Sequence, residues 1–265
     1  EHVAVGDTVI CHPNISCGLC TPCQAGQTMR CVMGLNFPGL TRDGGFTELV
    51  KTSARAVLAL DPRVEPVDVA ALADAGLAAY HAVRKTVPVL EPGGRAVVVG
   101  AGGLGHLGIQ CLSALTPAEI IAVDRNPEAL KLAEQCGAHH RVEADGRHVD
   151  RVRQLTDGTG AEVVLDFVAE GTAVQDALGM LATGGHYYVV GYGGTLSIPT
   201  LQLVLDELEV VGSAVGTADD LAALLRLAAA GQLTVRTAPY PLEAVGDAIA
   251  DLEQGRVRGR AILTP

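Results

Sequence analysis

At 265 residues, 48% of them hydrophobic, the chain is long enough for one large or two ordinary domains and has ample apolar material for a core. The formal net charge of −11, with no cluster of lysine or arginine, argues against nucleic acid or an anionic membrane as a partner. The longest apolar stretch, Ala96 to Leu115, approaches membrane-spanning length, but its five glycines, His106 and Gln110 fit a strand, a turn and a helix better than a single span.

The chain opens on Glu1, and EHVAVGDTVICHP reads as a turn followed at once by a strand, as if from the middle of a domain. No basic-then-apolar signal pattern is seen there, so the expected location is cytoplasmic. From Val9 to Pro38 the composition is that of a small loop-built lobe, framed by Cys17, Cys20, Cys23 and Cys31 at CxxCxxCx7C spacing. Four thiolates at these intervals can close a tetrahedral shell around a structural Zn²⁺. A disulfide pair is the alternative, and would require an oxidising compartment that nothing else in the sequence indicates. A redox CxxC is disfavoured further, since a thioredoxin-like motif should sit at the start of a helix after a strand. Cys11, Cys111 and Cys136 fall outside the spacing and are expected to be buried small hydrophobes.

Asp43 to Phe46 predict a turn into a strand over Phe46 to Lys51, and Ala56 to Leu60 a further extended piece. Helical periodicity begins near Val67 and is interrupted at Asp74 and Gly76. After the turn Pro92–Gly94 an apolar run, Ala96 to Val99, stops at Gly100. Gly100, Gly102 and Gly105 follow at GxGxxG spacing, a helical pattern runs from Leu104 to Leu115, and a second strand ends in Asp124.

A lone GxGxxG is a weak signal, but strand before, helix after and an acid about 20 residues on make it a dinucleotide fingerprint. Gly100 allows the tight turn, Gly102 lets a pyrophosphate approach the backbone, and Gly105 lets the helix pack on the strand. The helix N-terminus then faces the phosphates. Asp124 can accept both ribose hydroxyls and would repel a 2′-phosphate, which favours NAD over NADP; a guanidinium at Arg125 weakens that preference.

Beyond Asp124 helices and strands alternate. Asn126 and Pro127 open a helix that ends at Cys136, a short strand lies around Arg141, and a helix runs through Val149 to Leu155. Glu162 to Val168 reads as a buried central strand apart from Asp166. Helix Thr172 to Leu181, strand His186 to Val190 and a sixth strand, Glu209 to Val211, complete a doubly wound parallel α/β sheet. Thr217 and Asp220 form a capping box for a helix ending at Gly231, and a last helix, Leu242 to Glu253, and strand, Arg260 to Leu263, are expected to return to the first domain.

The order of CxxCxxCx7C, DGGF at Asp43, DAGLAAYHAV at Asp74, VVVGAGGLGHLGIQ at Val97, VVGYGG at Val189 and the terminal GRVRGRAILTP resembles the zinc-containing medium-chain alcohol dehydrogenases, especially bacterial NAD-dependent members acting on secondary or aryl alcohols. The match runs the length of the chain. It implies a Rossmann NAD-binding domain over 76–215 and a GroES-like, mainly β catalytic domain over 1–75 and 216–265, N-terminally incomplete, with its zinc lobe at 11–34.

The resemblance further implies that Asp74 is a ligand of a catalytic zinc between the domains, where many relatives have cysteine; from the residues alone it reads more readily as a helix N-cap. It implies that Gly103 and Leu104 contribute to the cofactor loop, with Leu104 behind the nicotinamide. Backbone near Val190, Tyr192, Ser213 and Val215 would hold the carboxamide, and Arg260 would reach the pyrophosphate. Ala78 stands where relatives often place a threonine against the nicotinamide. His81 and His106 lie in family motifs but read equally as satisfied helix histidines.

The implied chemistry is reversible hydride transfer from an alcohol to NAD, with zinc lowering the pKa of the alcohol oxygen. The other catalytic ligands and the proton relay would lie in a segment preceding Glu1, so the expectation is a fragment of the enzyme, homo-oligomeric through the edge of the sixth strand as dimer or tetramer. The alternatives are a polyol or threonine dehydrogenase of the same family, or a non-catalytic NAD-binding module.

Overall fold

A computed structural model describes residues 2–265. These fall into two compact units, one of residues 2–77 with Val215–Pro265 and one of Ala78–Ala214.

In the first, strand β1 (Val9–Cys11) leads into the cysteine lobe, whose only α-helical turn is α1 (Thr21–Gln24). The lobe is closed by polar side chains in place of an apolar core: Asn14 Oδ1 accepts the Asn36 N–H, the Asn14 amide donates to the Thr28 carbonyl, and Arg55 donates to the Cys17 carbonyl at 2.7 Å. Strand β2 (Val57–Ala59) pairs antiparallel with β1, Ile10 opposite Leu58. Residues 46–51 are not a strand. Phe46, Leu49 and Val50 are exposed and no strand among the described residues runs beside them, so the run has no ladder to join.

A short helix α2 (Pro66–Val69) and a 3-10 turn follow, then helix α3 (Ala75–Thr86). The break between turn and helix falls at Asp74, whose ψ of −77° is off the helical value.

The second unit contains a six-stranded parallel sheet in the order β5-β4-β3-β6-β7-β8. Its first strand is β3 (Arg95–Val99), in which Ala96, Val97 and Val98 have no exposed surface, as both faces of a central parallel strand must be covered. Burying each such valine stabilises the unit by about 1.5–3 kcal/mol. Helix α4 (Gly105–Leu115) and strand β4 (Glu119–Asp124) form the unit that carries the glycine-rich turn. Helix α5 (Pro127–Gln135) is capped by Asn126, which accepts the Glu128 N–H, and strand β5 (His140–Glu143) closes that side of the sheet.

On the other side come α6 (His148–Leu155), β6 (Ala161–Asp166), α7 (Ala173–Met180) and β7 (Leu181–Val189). The expected strand Glu162 to Val168 ends two residues early, because Asp166 turns its carboxylate back onto the Val168 and Ala169 N–H groups. Helix α8 (Thr200–Leu205), unmarked in the sequence, precedes edge strand β8 (Glu209–Gly212).

The chain re-enters the first unit through helix α9 (Ala218–Ala229), where both bonds of the Thr217–Asp220 capping box are made. Strand β9 (Thr237–Pro241), helix α10 (Val245–Glu253) and strand β10 (Arg260–Thr264) complete it, β9 and β10 pairing in parallel. Pro239 and Pro241 concealed β9 in the sequence; in a two-stranded sheet one edge of the strand needs no N–H donors. Ile10, Leu77 and Leu221 meet in the core of this unit, with Leu58, Leu60 and Val215 around them.

Candidate functional site

The strand order reverses between β3 and β6, and a doubly wound sheet opens its ligand crevice outside the carboxyl ends of the strands at that point. Gly100 leaves β3 with a φ of 84°, a conformation that side-chain-bearing residues seldom adopt. A Cβ on Gly105 would lie 1.8 Å from the Gly100 carbonyl oxygen, so the start of α4 reaches the turn only because that atom is absent. A Cβ on Gly102 would meet nothing within 4 Å. The first and third glycines are thus fixed by the protein itself, and the second faces open space of the kind a pyrophosphate needs. Gly103 and Leu104, half-buried, complete the turn, and Leu104 precedes α4.

Asp124, half-buried at the end of β4, accepts the Ala101 N–H at 2.7 Å and the Asn126 N–H at 2.7 Å. Its carboxylate is therefore tied to the glycine-rich turn, a link the sequence did not reveal. Arg125 is exposed beside it. His106 has no exposed surface and donates from Nδ1 to the Gly102 carbonyl at 2.8 Å, so it braces the turn.

At the other strand ends, Val190 is half-buried, Tyr192 exposed, and Ser213 buried with its hydroxyl 3.1 Å from Lys85 Nζ. Val190 and Gly191 both donate to the Asp166 carbonyl. Lys85, Asp166 and Tyr187 went unassigned in the sequence; the one visible signal was an acid, Asp166, inside an apolar run.

In the first unit the Sγ atoms of Cys17, Cys20, Cys23 and Cys31 all lie within 4.8 Å of one another, and those of Cys17 and Cys23 are 3.9 Å apart. Zinc–sulfur bonds of about 2.3 Å put tetrahedral sulfurs about 3.8 Å apart, so the four fit Zn²⁺. Backbone N–H groups aim at the sulfurs: the Leu19 N–H, then that of Cys20, bring Cys17 down to about 6, and those of Val32 and Cys23 lower Cys20. Burial pushes the enclosed Cys23 thiol up to about 11, the penalty that a bound cation removes. All seven cysteines have free thiols in the structure. Cys111 is buried as expected, its thiol raised to about 12, but Cys11 and Cys136 are only half-buried.

Comparison with known proteins agrees with this geometry. Residues 103–230 match the zinc-binding dehydrogenase family model and residues 1–62 the alcohol dehydrogenase GroES-like domain. The chain is 33% identical over 264 residues to an NAD-dependent alcohol dehydrogenase of Sulfurisphaera tokodaii, covering 98% of this chain and 75% of that protein. It is 32% identical to an alcohol dehydrogenase of Geobacillus stearothermophilus, covering 99% and 77%. The crystal structure of the alcohol dehydrogenase from Aeropyrum pernix superposes with a TM-score of 0.96 at 42% identity, over 100% of this chain and 78% of that one. The chain belongs to the zinc-dependent alcohol dehydrogenase family.

Within this dehydrogenase chain the structure pairs two residues that the sequence treated separately. Arg260, half-buried on β10, donates to the Asp74 carboxylate at 3.2 Å, and Asp74 is 70% exposed. Among the described residues the four cysteines are the one group of three or more ligands placed to hold a metal. Asp74 belongs to no such group among the described residues. Ala78 and His81 are half-buried on α3.

Proposed function

We propose that this chain binds NAD through Gly100, Gly102, Gly103, Leu104, Gly105 and Asp124, and serves an enzyme that transfers hydride between a secondary or aryl alcohol and NAD. The observation that carries the reading is the Asp124 carboxylate at the end of β4, held by the Ala101 N–H against the turn whose second glycine faces open space. An anion there suits two ribose hydroxyls and opposes a 2′-phosphate. When bound, the nicotinamide accepts the hydride. Asp124 orients the adenosine ribose, the α4 N-terminus offsets the pyrophosphate charge, and Val190, Tyr192, Ser213 and Val215 offer backbone to the carboxamide. Arg260 would serve the pyrophosphate and Asp74 would supply one ligand of a catalytic zinc, roles that require the ion pair between them to open.

The Cys17, Cys20, Cys23 and Cys31 thiolates hold a structural zinc that keeps the lobe folded. The protein is read as cytoplasmic; no helix among the described residues is long and apolar enough to cross a membrane. It is also read as a homo-oligomer through the open edge of β8. Leu201, Val204 and Leu205 of the neighbouring α8 are exposed, and an uncovered strand edge beside apolar side chains favours a second copy.

Fluorescence titration with NADH and NADPH, with zinc counted on the same material, tests the cofactor reading. Tighter NADH binding and zinc bound at the cysteines are expected. NADPH binding as tight as NADH would refute the role given to Asp124. A screen of secondary and aryl alcohols, with polyols and threonine as competitors, tests the substrate class.

A further inference from the structure

The two halves of a doubly wound sheet each take one nucleotide of a dinucleotide, and Asp124 on β4 assigns the adenosine to the β3-β4-β5 half. The nicotinamide then faces the carboxyl ends of β6, β7 and β8. Two backbone segments cover that end, residues 167–170 and 190–194. They lie against each other without side chains between them: a Cβ on Gly191 would be 2.5 Å from the Val168 carbonyl, one on Gly194 2.5 Å from the Ala169 oxygen, and the Gly194 N–H donates to that oxygen at 2.8 Å. Whatever fixes 168 and 169 therefore fixes 190–194.

The fixing group is buried. Asp166 has no exposed surface, and its Oδ1 accepts the N–H groups of Val168 and Ala169, each at 2.8 Å. Ala169 sits at a φ of 49°, a left-handed conformation that a non-glycine residue keeps only when its surroundings enforce it. The second carboxylate oxygen accepts the hydroxyl of Tyr187, also fully buried, at 2.7 Å. Tyr187 lies on β7, two residues before the strand runs out into 190–194.

We infer that Asp166 and Tyr187 are positioning residues for the nicotinamide half of the cofactor, acting through the paired segments 167–170 and 190–194. The inference rests on the NAD reading above. Neither side chain reaches the crevice. Tyr187 locks the carboxylate, the carboxylate locks the strained turn, and the turn supports the backbone that faces the nicotinamide.

The test is titration of the full chain with NADH and with ADP-ribose, which lacks the nicotinamide. Tyr187→Phe is expected to weaken NADH about tenfold, one buried hydrogen bond's worth, and to change ADP-ribose by less than about twofold. Asp166→Asn keeps an acceptor for both N–H groups but takes the acceptor away from the buried Tyr187 O–H, so the same selective loss is expected. Should Tyr187→Phe fail to fold, Gly191→Ala forces the two segments apart from outside the buried pair and is expected to show the same selective loss. Equal loss of both ligands, no loss of either, or an Asp166→Asn with parental NADH affinity would overturn the inference. A parent chain that binds neither ligand would overturn the cofactor reading itself.

Discussion

Replacing Gly105 by alanine places a Cβ 1.8 Å from the Gly100 oxygen, 2.8 Å from its carbonyl carbon and 3.5 Å from Val98 Cγ1. Both nearest atoms are backbone, so no side chain can rotate away, and restoring a 3.0 Å contact needs a displacement of about 1.2 Å. Overpacking of this kind costs about 1–3 kcal/mol, and the displaced element is the glycine-rich turn itself. Gly105→Ala should therefore lower the melting temperature and weaken NADH together.

Gly102→Ala is the control that separates fold from function. Its Cβ meets nothing within 4 Å and its φ lies outside the left-handed region, so the fold is unchanged or stabilised by about 0.4–1 kcal/mol through the unfolded chain. NADH affinity should nevertheless fall at least about tenfold, or about 1.4 kcal/mol, because the methyl occupies the space offered to the pyrophosphate. Thermal melts and NADH fluorescence on the two variants give the four values required. Parental NADH affinity in Gly102→Ala would refute the placement of the pyrophosphate, and a parental melting temperature in Gly105→Ala would refute the clash.

Asp124→Gly should raise NADPH binding relative to NADH at least about tenfold while lowering NADH binding outright, since the Ala101 N–H loses its acceptor; an unchanged ratio would remove Asp124 from cofactor selection. Cys31→Ser should release zinc, measured with a chromogenic chelator, and destabilise the lobe with NADH affinity little altered; zinc retained after the change would mean a wrong ligand set. His12 supplies a pH test. It is buried, Nε2 donates to the Gly216 carbonyl, Nδ1 accepts the Asn14 N–H, and burial chiefly holds its pKa below the usual 6.5. A depressed histidine contributes stability that is present above 6.5 and lost as the pH falls through the folded-state value. Melts between about pH 7 and pH 5 should show a decline that His12→Gln reduces, and an equal slope in parent and variant would exclude His12 as its source.

The fingerprint around Gly100 to Asp124 and the four cysteines were legible without coordinates, because each depends on short spacing along one segment: a strand, turn and helix in the first case, one small lobe in the second. Local periodicity likewise announced the strands of the parallel sheet and the capping box at Thr217. What failed locally failed for want of a partner. Phe46 to Lys51 has strand composition but no neighbouring strand among the described residues, while Thr237–Pro241 carries two prolines and is a strand because Arg260–Thr264 lies beside it. The partners of Asp124, Asp74 and Asp166 were equally out of reach, since each bond joins residues separated by at least one element: Ala101, Arg260 and Tyr187. Sequence by itself determined which segments hold a cofactor turn and a metal lobe, since those are properties of contiguous chain. Only the tertiary structure decided which carboxylates are braced and by what, because hydrogen bonds between distant segments exist only after the sheet has brought the strand ends together.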